Sequence, residues 1–171
     1  MSNHIPKAEL HVHVEGALTP KLVHDFAARN QMAVPTNIFT ADGQAYAWRD
    51  FYDMITRVYQ AAAVTLRRRE DFARLVEDYL VAAAKEGTIY VELIACPGQC
   101  FLGGLAYPDM IAGIADGIDA ARAKTGIEAR INVTLERHRS VAEANADVDM
   151  ILAHPHPYIV GIDLGGGEVA G

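Results

Sequence analysis

Two histidines and a glutamate stand close together near the start of the chain, in the stretch ELHVHVEGAL at positions 9–18. In a β-strand the residues at i and i+2 lie on one face, so His11 and His13 would point in the same direction. Two imidazoles at that spacing can converge on one metal ion. Without a metal, burying both rings would require separate hydrogen-bond partners for each. The spacing therefore favours a metal site with His11 and His13 as ligands.

An alternating pattern of side chains predicts the strand that positions these histidines. Residues 6–14 divide between two faces, with Ala8, Leu10, Val12 and Val14 on one and Glu9, His11 and His13 on the other. Gly16 then opens a turn. Thr19 and Pro20 predict the N-cap and first residue of a helix that ends near Asn30.

The rest of the chain alternates between predicted helices and strands. Helices are predicted at about 48–63, 70–85, 108–124 and 140–153. Ser140 and Glu143 form a capping box at the start of the last helix. Strands are predicted at 88–97, 129–137 and 158–168. Residues 31–46 are predicted to be irregular, and the glycine-rich segment 98–104 to be a loop. This order predicts parallel strands joined by crossover helices. Both a doubly wound sheet and a TIM barrel fit it, and four strands would be half a barrel.

Composition and charge exclude several classes of protein. The chain has 171 residues, of which 51% are hydrophobic, enough for the core of one domain. Its net charge of −7 argues against nucleic acid as a partner, because phosphate binding needs basic surfaces. No apolar run approaches the ~20 residues that span a bilayer, and the first ten residues lack the apolar centre of a signal peptide. We expect a soluble, cytoplasmic protein without a membrane or nucleic-acid partner, and homo-oligomer formation stays open.

Four segments, in the same order, resemble the adenosine/adenine deaminases, a branch of the amidohydrolase superfamily. PKAELHVHVEGALTP is similar to the opening strand motif of that family, over about a dozen positions. The segment REDFARLVEDYLVAAAKEGTIYVELIACP is similar to the family's second-strand region. INVTLERH is similar to its third-strand segment, and IVGIDLGGGE to its fourth-strand segment. A bare H-x-H would be weak evidence, whereas this longer match covers essentially the whole chain.

The resemblance implies a fold, a cofactor and an activity. The fold is a TIM (β/α)8 barrel, of which residues 1–171 would form the N-terminal half of a single domain. The cofactor is one zinc ion, which lowers the pKa of a bound water. The activity is hydrolytic deamination of a small 6-aminopurine, adenosine to inosine and ammonia, with adenine as the alternative substrate.

The resemblance also assigns roles to individual residues. His11 and His13 match the first two zinc ligands, and His13, Glu15 and Gly166 match positions that contact the substrate. The family's third zinc histidine, its glutamate acid, a further histidine and a pair of aspartates come from the fifth, sixth and eighth strands. No matching segment occurs up to Gly171, so the catalytic residues are expected beyond it. By itself, this chain is expected to bind zinc weakly and not to turn over substrate.

Two departures from the family pattern affect the choice of substrate without deciding it. Glu15 replaces an aspartate that many adenosine deaminases carry, and adenine deaminases often have glutamate there. Gly167 stands where adenosine deaminases often have aspartate. An alternative of a different class is a non-catalytic α/β module that assembles with a partner through the open strand edge of a half barrel.

Other polar residues are predicted to have structural roles. Glu92 and Asp163 lie on predicted strands, where they are expected to support the site rather than bind metal. His154 and His156 form a second H-x-H, but they flank Pro155 and precede Pro157, which predicts a turn.

Overall fold

Four parallel strands form one sheet in the computed structural model, which describes residues 5–166 except for the side chains of residues 99–101. The strands are β1 (Lys7–His13), β2 (Thr88–Ala95), β3 (Glu128–Glu136) and β4 (Ile159–Gly165). Neighbours in the sheet follow chain order, β1-β2-β3-β4, and each pair is parallel. A doubly wound sheet reverses its strand order at a switch point, whereas a barrel adds each strand at the same edge. The sheet therefore has the barrel-type order.

Helices connect the strands at the positions predicted, with one addition. They are α1 (Pro20–Arg29), α2 (Phe51–Asp53), a π-helix (Met54–Tyr59), α3 (Gln60–Ala63), α4 (Arg69–Lys85), α5 (Pro97–Gly103), α6 (Tyr107–Thr125) and α7 (Val141–Ala153). The loop predicted at 98–104 was wrong, because Pro97 begins a helix there, where its missing N–H costs nothing. Gly167 and the predicted end of the fourth strand lie outside the described residues. Within residues 5–166, no helix is long and apolar enough to cross a membrane.

The sheet has one apolar face and one polar face. Side chains on the first face pack under α4 and α6 and are almost fully buried: Val91, Leu93, Ala95, Ala129, Ile131 and Val133. The alternate residues of the same strands include Glu92, Asn132, Thr134 and Glu136, which point to the other side. In a barrel that second face is the interior, so the polar groups of the strands converge there.

An irregularity in β1 changes the predicted faces of that strand. Glu9 pairs with Val91 and Val12 with Leu93, so three steps along β1 match two along β2. A bulge of this kind reverses the side-chain alternation. Glu9 therefore shares a side with Val91, and the Tyr79 hydroxyl of α4 donates a hydrogen bond to it. By this register Glu9 does not share the strand face predicted for it with the histidines, although it lines the same cavity as His11 and His13.

The segment between α1 and α2 is irregular, as predicted, and an ion-pair network fastens it to the π-helix. Arg57 donates hydrogen bonds to both carboxylate oxygens of Asp53, at 2.9 and 2.7 Å, and to the backbone oxygen of Ala47 at 2.8 Å. The Arg57 guanidinium and the backbone N–H of Arg49 hold the pKa of Asp53 well below its usual range. This network sets the position of the helix that faces β1.

Candidate functional site

His11 and His13 lie side by side at the carboxyl end of β1. Their ring centroids are 5.1 Å apart and their planes meet at 75°. Burial lowers the pKa of His13, the neighbouring His11 lowers it further, and Asp163 acts in the opposite direction. A lowered pKa keeps the imidazole neutral at neutral pH, and the neutral ring has the nitrogen lone pair that a metal ion needs. The predicted pair is therefore close together, and His13 is in a state suited to metal binding.

The two rings fit part of a zinc site. A catalytic zinc ion usually has three protein ligands and one open position. Across residues 5–166, no group of three His, Cys, Asp or Glu side chains is arranged to hold a metal ion. The described residues could therefore supply two imidazole ligands, one fewer than the usual three.

A cavity of about 810 Å³ borders the histidines, and Glu15 forms part of its wall. Most of the other lining side chains are apolar and come from the π-helix and its flanks, including Trp48, Phe51, Met54, Ile55 and Val58. An apolar cavity with a few convergent polar groups is the usual form of a small-molecule site. Because one wall is apolar and another carries ionisable groups, the cavity suits a ligand that has both apolar surface and hydrogen-bonding groups.

Glu15 is held in a buried position by the 3₁₀ turn Glu15–Ala17 that follows β1. It is only 3% exposed, and the Tyr59 hydroxyl donates a hydrogen bond to its Oε2 at 2.9 Å. No hydrogen-bond partner for Oε1, which is also buried, is found in the described part of the chain. A buried acceptor without a donor is costly, so this oxygen is available to a donor from a ligand.

Burial also sets the charge of Glu15. Burial raises the pKa of the carboxyl group to about 7. Hydrogen bonds from the backbone N–H of Glu15 and from the Tyr59 hydroxyl lower this pKa, and the charge of Glu136 raises it slightly further. Glu15 is therefore neutral below that pH and ionised above it. The same burial, together with Glu15, raises the pKa of the Tyr59 hydroxyl, which stays a hydrogen-bond donor.

Gly166 lies at the same carboxyl edge of the sheet but does not line the cavity around the histidines. It follows β4 directly and has a φ of 96°, a conformation that favours glycine. A Cβ at this position would lie 2.9 Å from Nδ1 of His138, in the segment after β3. The structure thus brings His11, His13 and Glu15 together and leaves Gly166 packed beside the end of β3.

Glu92 and Asp163 link neighbouring strands on the polar face. The amide of Asn132 donates a hydrogen bond to Glu92 Oε2 at 3.0 Å, and the Tyr90 hydroxyl donates one to Oε1 at 3.1 Å. Thr134 donates a longer one, of 3.5 Å, to Asp163. Both carboxylates therefore accept hydrogen bonds from a neighbouring strand, and their role at the site stays a prediction.

Two residues at this end of the sheet were missed by reasoning from the sequence. Tyr59 belongs to the apolar stripe of a predicted helix, so its hydroxyl was not connected with Glu15. Glu136 lies in the segment INVTLERH, in which only the final Arg-His carried the resemblance. A signal for Glu136 was available, because it continues the alternation of Asn132 and Thr134 on β3.

The fold and the site together define a class of protein. A sheet of barrel type, with paired histidines at the carboxyl end of its first strand, is typical of amidohydrolases that use a metal ion. The chain belongs to the adenosine deaminase family, whose model matches residues 6–171.

Individual relatives have narrower names. The chain is 40% identical over 171 residues to an adenine deaminase of Agrobacterium fabrum and 39% identical over 168 residues to one of Rhizobium meliloti, covering 100% and 98% of this chain. It covers 51% of each relative, so the chain spans about half the length of the curated relatives it matches.

Solved structures agree with the sequence relatives. The crystal structure of adenine deaminase from Arthrobacter aurescens has a TM-score of 0.80 at 27% identity, over 94% of this chain and 49% of that one. An amidohydrolase from Burkhoderia ambifaria with bound Zn has a TM-score of 0.78 at 28% identity, over 95% of this chain and 44% of the other. Each match covers most of this chain and about half of the other one.

Proposed function

We propose that the complete protein is a zinc-dependent deaminase that converts adenine and water into hypoxanthine and ammonia. The observation that carries this proposal is the 40% identity to an adenine deaminase across all 171 residues. Family membership supports deamination of a 6-aminopurine, and the names of the curated relatives favour adenine over adenosine as the substrate. On this proposal, residues 1–171 form the N-terminal half of a single barrel domain.

Zinc is the metal that best suits the histidine pair. His11 and His13 would hold it through neutral imidazoles, and at least one further ligand would come from residues outside the described part. The Zn-bound amidohydrolase of similar structure supports this choice. When bound, zinc supplies a water of lowered pKa for attack on C6 of the purine.

The residues of this chain would position the purine for that reaction. The apolar wall formed by Phe51, Met54 and Val58 would pack against the ring and exclude bulk water. Glu15 would contact the edge of the ring from the turn after β1. Water adds at C6, the C6–N6 bond breaks, and the amino group leaves as ammonia, so that the purine ring keeps a carbonyl oxygen at C6.

One experiment tests the function and the metal together. The full-length protein is loaded with zinc, and ammonia release is followed with adenine and with adenosine. We expect adenine to be deaminated and adenosine not. His11→Ala should lower the zinc content and reduce kcat/KM by at least about 100-fold, because even residues that only orient a metal ligand contribute 10- to 100-fold.

A matched control uses another histidine of an H-x-H. His154 is exposed at the end of α7, away from β1, so His154→Ala should leave zinc content and activity unchanged. A zinc-loaded protein that deaminates neither purine would contradict the proposed reaction. Deamination of adenosine in preference to adenine would contradict the proposed substrate.

A further inference from the structure

Glu136 is a carboxylate at the mouth of the barrel interior for which the reaction described so far has no use. It is the last residue of β3 and continues the polar face of Asn132 and Thr134. Its side chain is 19% exposed, so a ligand can reach it. The carboxyl ends of barrel strands are where substrates bind.

The surroundings of Glu136 leave room for its carboxylate but give it no donor. A Cβ on Gly98, at the start of α5, would lie only 2.2 Å from Glu136 Oε2, so any side chain at position 98 would displace the carboxylate. His138 Nε2 lies 3.8 Å from Oε1, which is too long for a hydrogen bond. Among the described residues, the carboxylate of Glu136 accepts no hydrogen bond.

Glu136 and Glu15 lie at the same end of the barrel, because Glu136 ends β3 and Glu15 lies in the turn that follows β1. Glu15 also has an oxygen without a donor. Each of these two carboxylates therefore has an oxygen without a donor among the described residues, and a ligand that pairs with them must bring N–H or O–H groups.

A free purine base has such a group, and a nucleoside lacks it. If the amino group at C6 faces the histidines, the N–H of the five-membered ring lies at the opposite end of the molecule. In a nucleoside that nitrogen carries the sugar. We propose that Glu136 accepts a hydrogen bond from this ring N–H and so selects the free base over the nucleoside. This inference rests on the proposed adenine deaminase function.

The test compares adenine with 9-methyladenine, in which a methyl group replaces the hydrogen of that ring N–H. For the full-length zinc-loaded enzyme, kcat/KM for 9-methyladenine should be about 10- to 100-fold lower, the range expected for loss of a hydrogen bond to a charged group. Glu136→Leu should reduce kcat/KM for adenine by a similar factor and leave 9-methyladenine unchanged. The preference for adenine would then disappear.

Two further variants separate a contact from a structural effect. Glu136→Gln has the same shape and keeps a carbonyl acceptor, so it should retain most of the preference. Glu128→Gln lies at the other end of β3, where Glu128 pairs with Arg122 and Arg130, and should not alter the ratio of the two substrates.

The outcomes are distinguishable. If the wild-type enzyme deaminates neither substrate, the proposed function is wrong and this inference with it. If it deaminates both equally, only the inference is wrong. If Glu136→Leu slows both substrates equally, Glu136 has a structural role and the inference is likewise wrong. The wild-type comparison holds even if the leucine variant does not fold.

Discussion

At the scale of single residues, Glu15 combines a position beside the histidine pair with an unfavourable environment. A carboxyl group that is buried with one oxygen unpaired destabilises the fold when it ionises. Its neighbour Tyr59 offsets part of that cost through one hydrogen bond. Buried ionisable groups with unpaired atoms are often found in ligand-binding sites, because the ligand completes the missing contacts.

The raised pKa of Glu15 predicts how stability changes with pH. Below its ordinary value of 4.5 the group is protonated in both the folded and unfolded states. As pH rises toward the folded-state pKa of about 7, the unfolded state ionises first and folding becomes less favourable. Relative to Glu15→Gln, the wild-type protein should lose ~3 kcal/mol of unfolding free energy across that window.

Denaturant unfolding of both proteins on each side of the window measures this difference, because other titrating groups cancel between wild type and variant. Asp25→Asn serves as the control, since Asp25 is an exposed partner of Lys21 on α1. A stability difference between wild type and Glu15→Gln that does not change with pH would contradict the burial effect.

At the scale of elements, the position of the helical layer depends on small residues. Where α6 crosses α4, a Cβ on Gly117 would lie 2.6 Å from the backbone oxygen of Ala73 and 2.8 Å from Cβ of Val76. Backbone atoms cannot move aside as a flexible side chain can. The two helices therefore approach closely because this position has no side chain, and that approach fixes the cover over β2 and β3.

Gly117→Ala should destabilise the fold even though alanine is the better helix former. The overpacking cost of ~1–3 kcal/mol exceeds the gain of ~0.5–1 kcal/mol from helix propensity. Chemical denaturation gives the sign directly. Ala123→Gly, on the exposed side of α6, isolates the propensity effect. Stabilisation by Gly117→Ala would show that α4 and α6 can separate without loss.

At the scale of the whole molecule, the last strand has an uncovered apolar stripe. Val160, Ile162 and Leu164 alternate along β4 and are 55%, 61% and 55% exposed. Ile162 and Leu164 pair in register with Val133 and Leu135, which belong to the helix-covered face or border it. A contiguous exposed apolar patch on a sheet edge promotes association.

We therefore expect a polypeptide of these 171 residues to self-associate in solution. Ile162→Lys should shift the population toward monomer, because a charge in the stripe opposes burial against another surface. Light scattering after size-exclusion chromatography measures the mass. Leu152→Lys, which removes a 72% exposed leucine from α7, is the control. An equal effect of both substitutions, or a monomeric wild-type chain, would contradict a role for the stripe.

The sequence by itself determined the alternation of strands and helices, the histidine pair and the family resemblance. Hydrophobic periodicity, glycine and proline signals and capping residues act locally, so they can be read without a structure. The capping box of Ser140 and Glu143, for example, lies where it was predicted. His11 and His13 share a face because two residues on one strand are related by local geometry alone.

Only the tertiary structure decided the contacts between residues far apart in the chain. The bulge in β1 moved Glu9 to the helix side, and a bulge depends on how β1 pairs with β2. Strand order separated the barrel from the doubly wound sheet. The hydrogen bond between Tyr59 and Glu15 joins residues 44 positions apart, and the carboxylate of Glu136 packs against Gly98. No local pattern encodes these distances, because they arise when the layers pack.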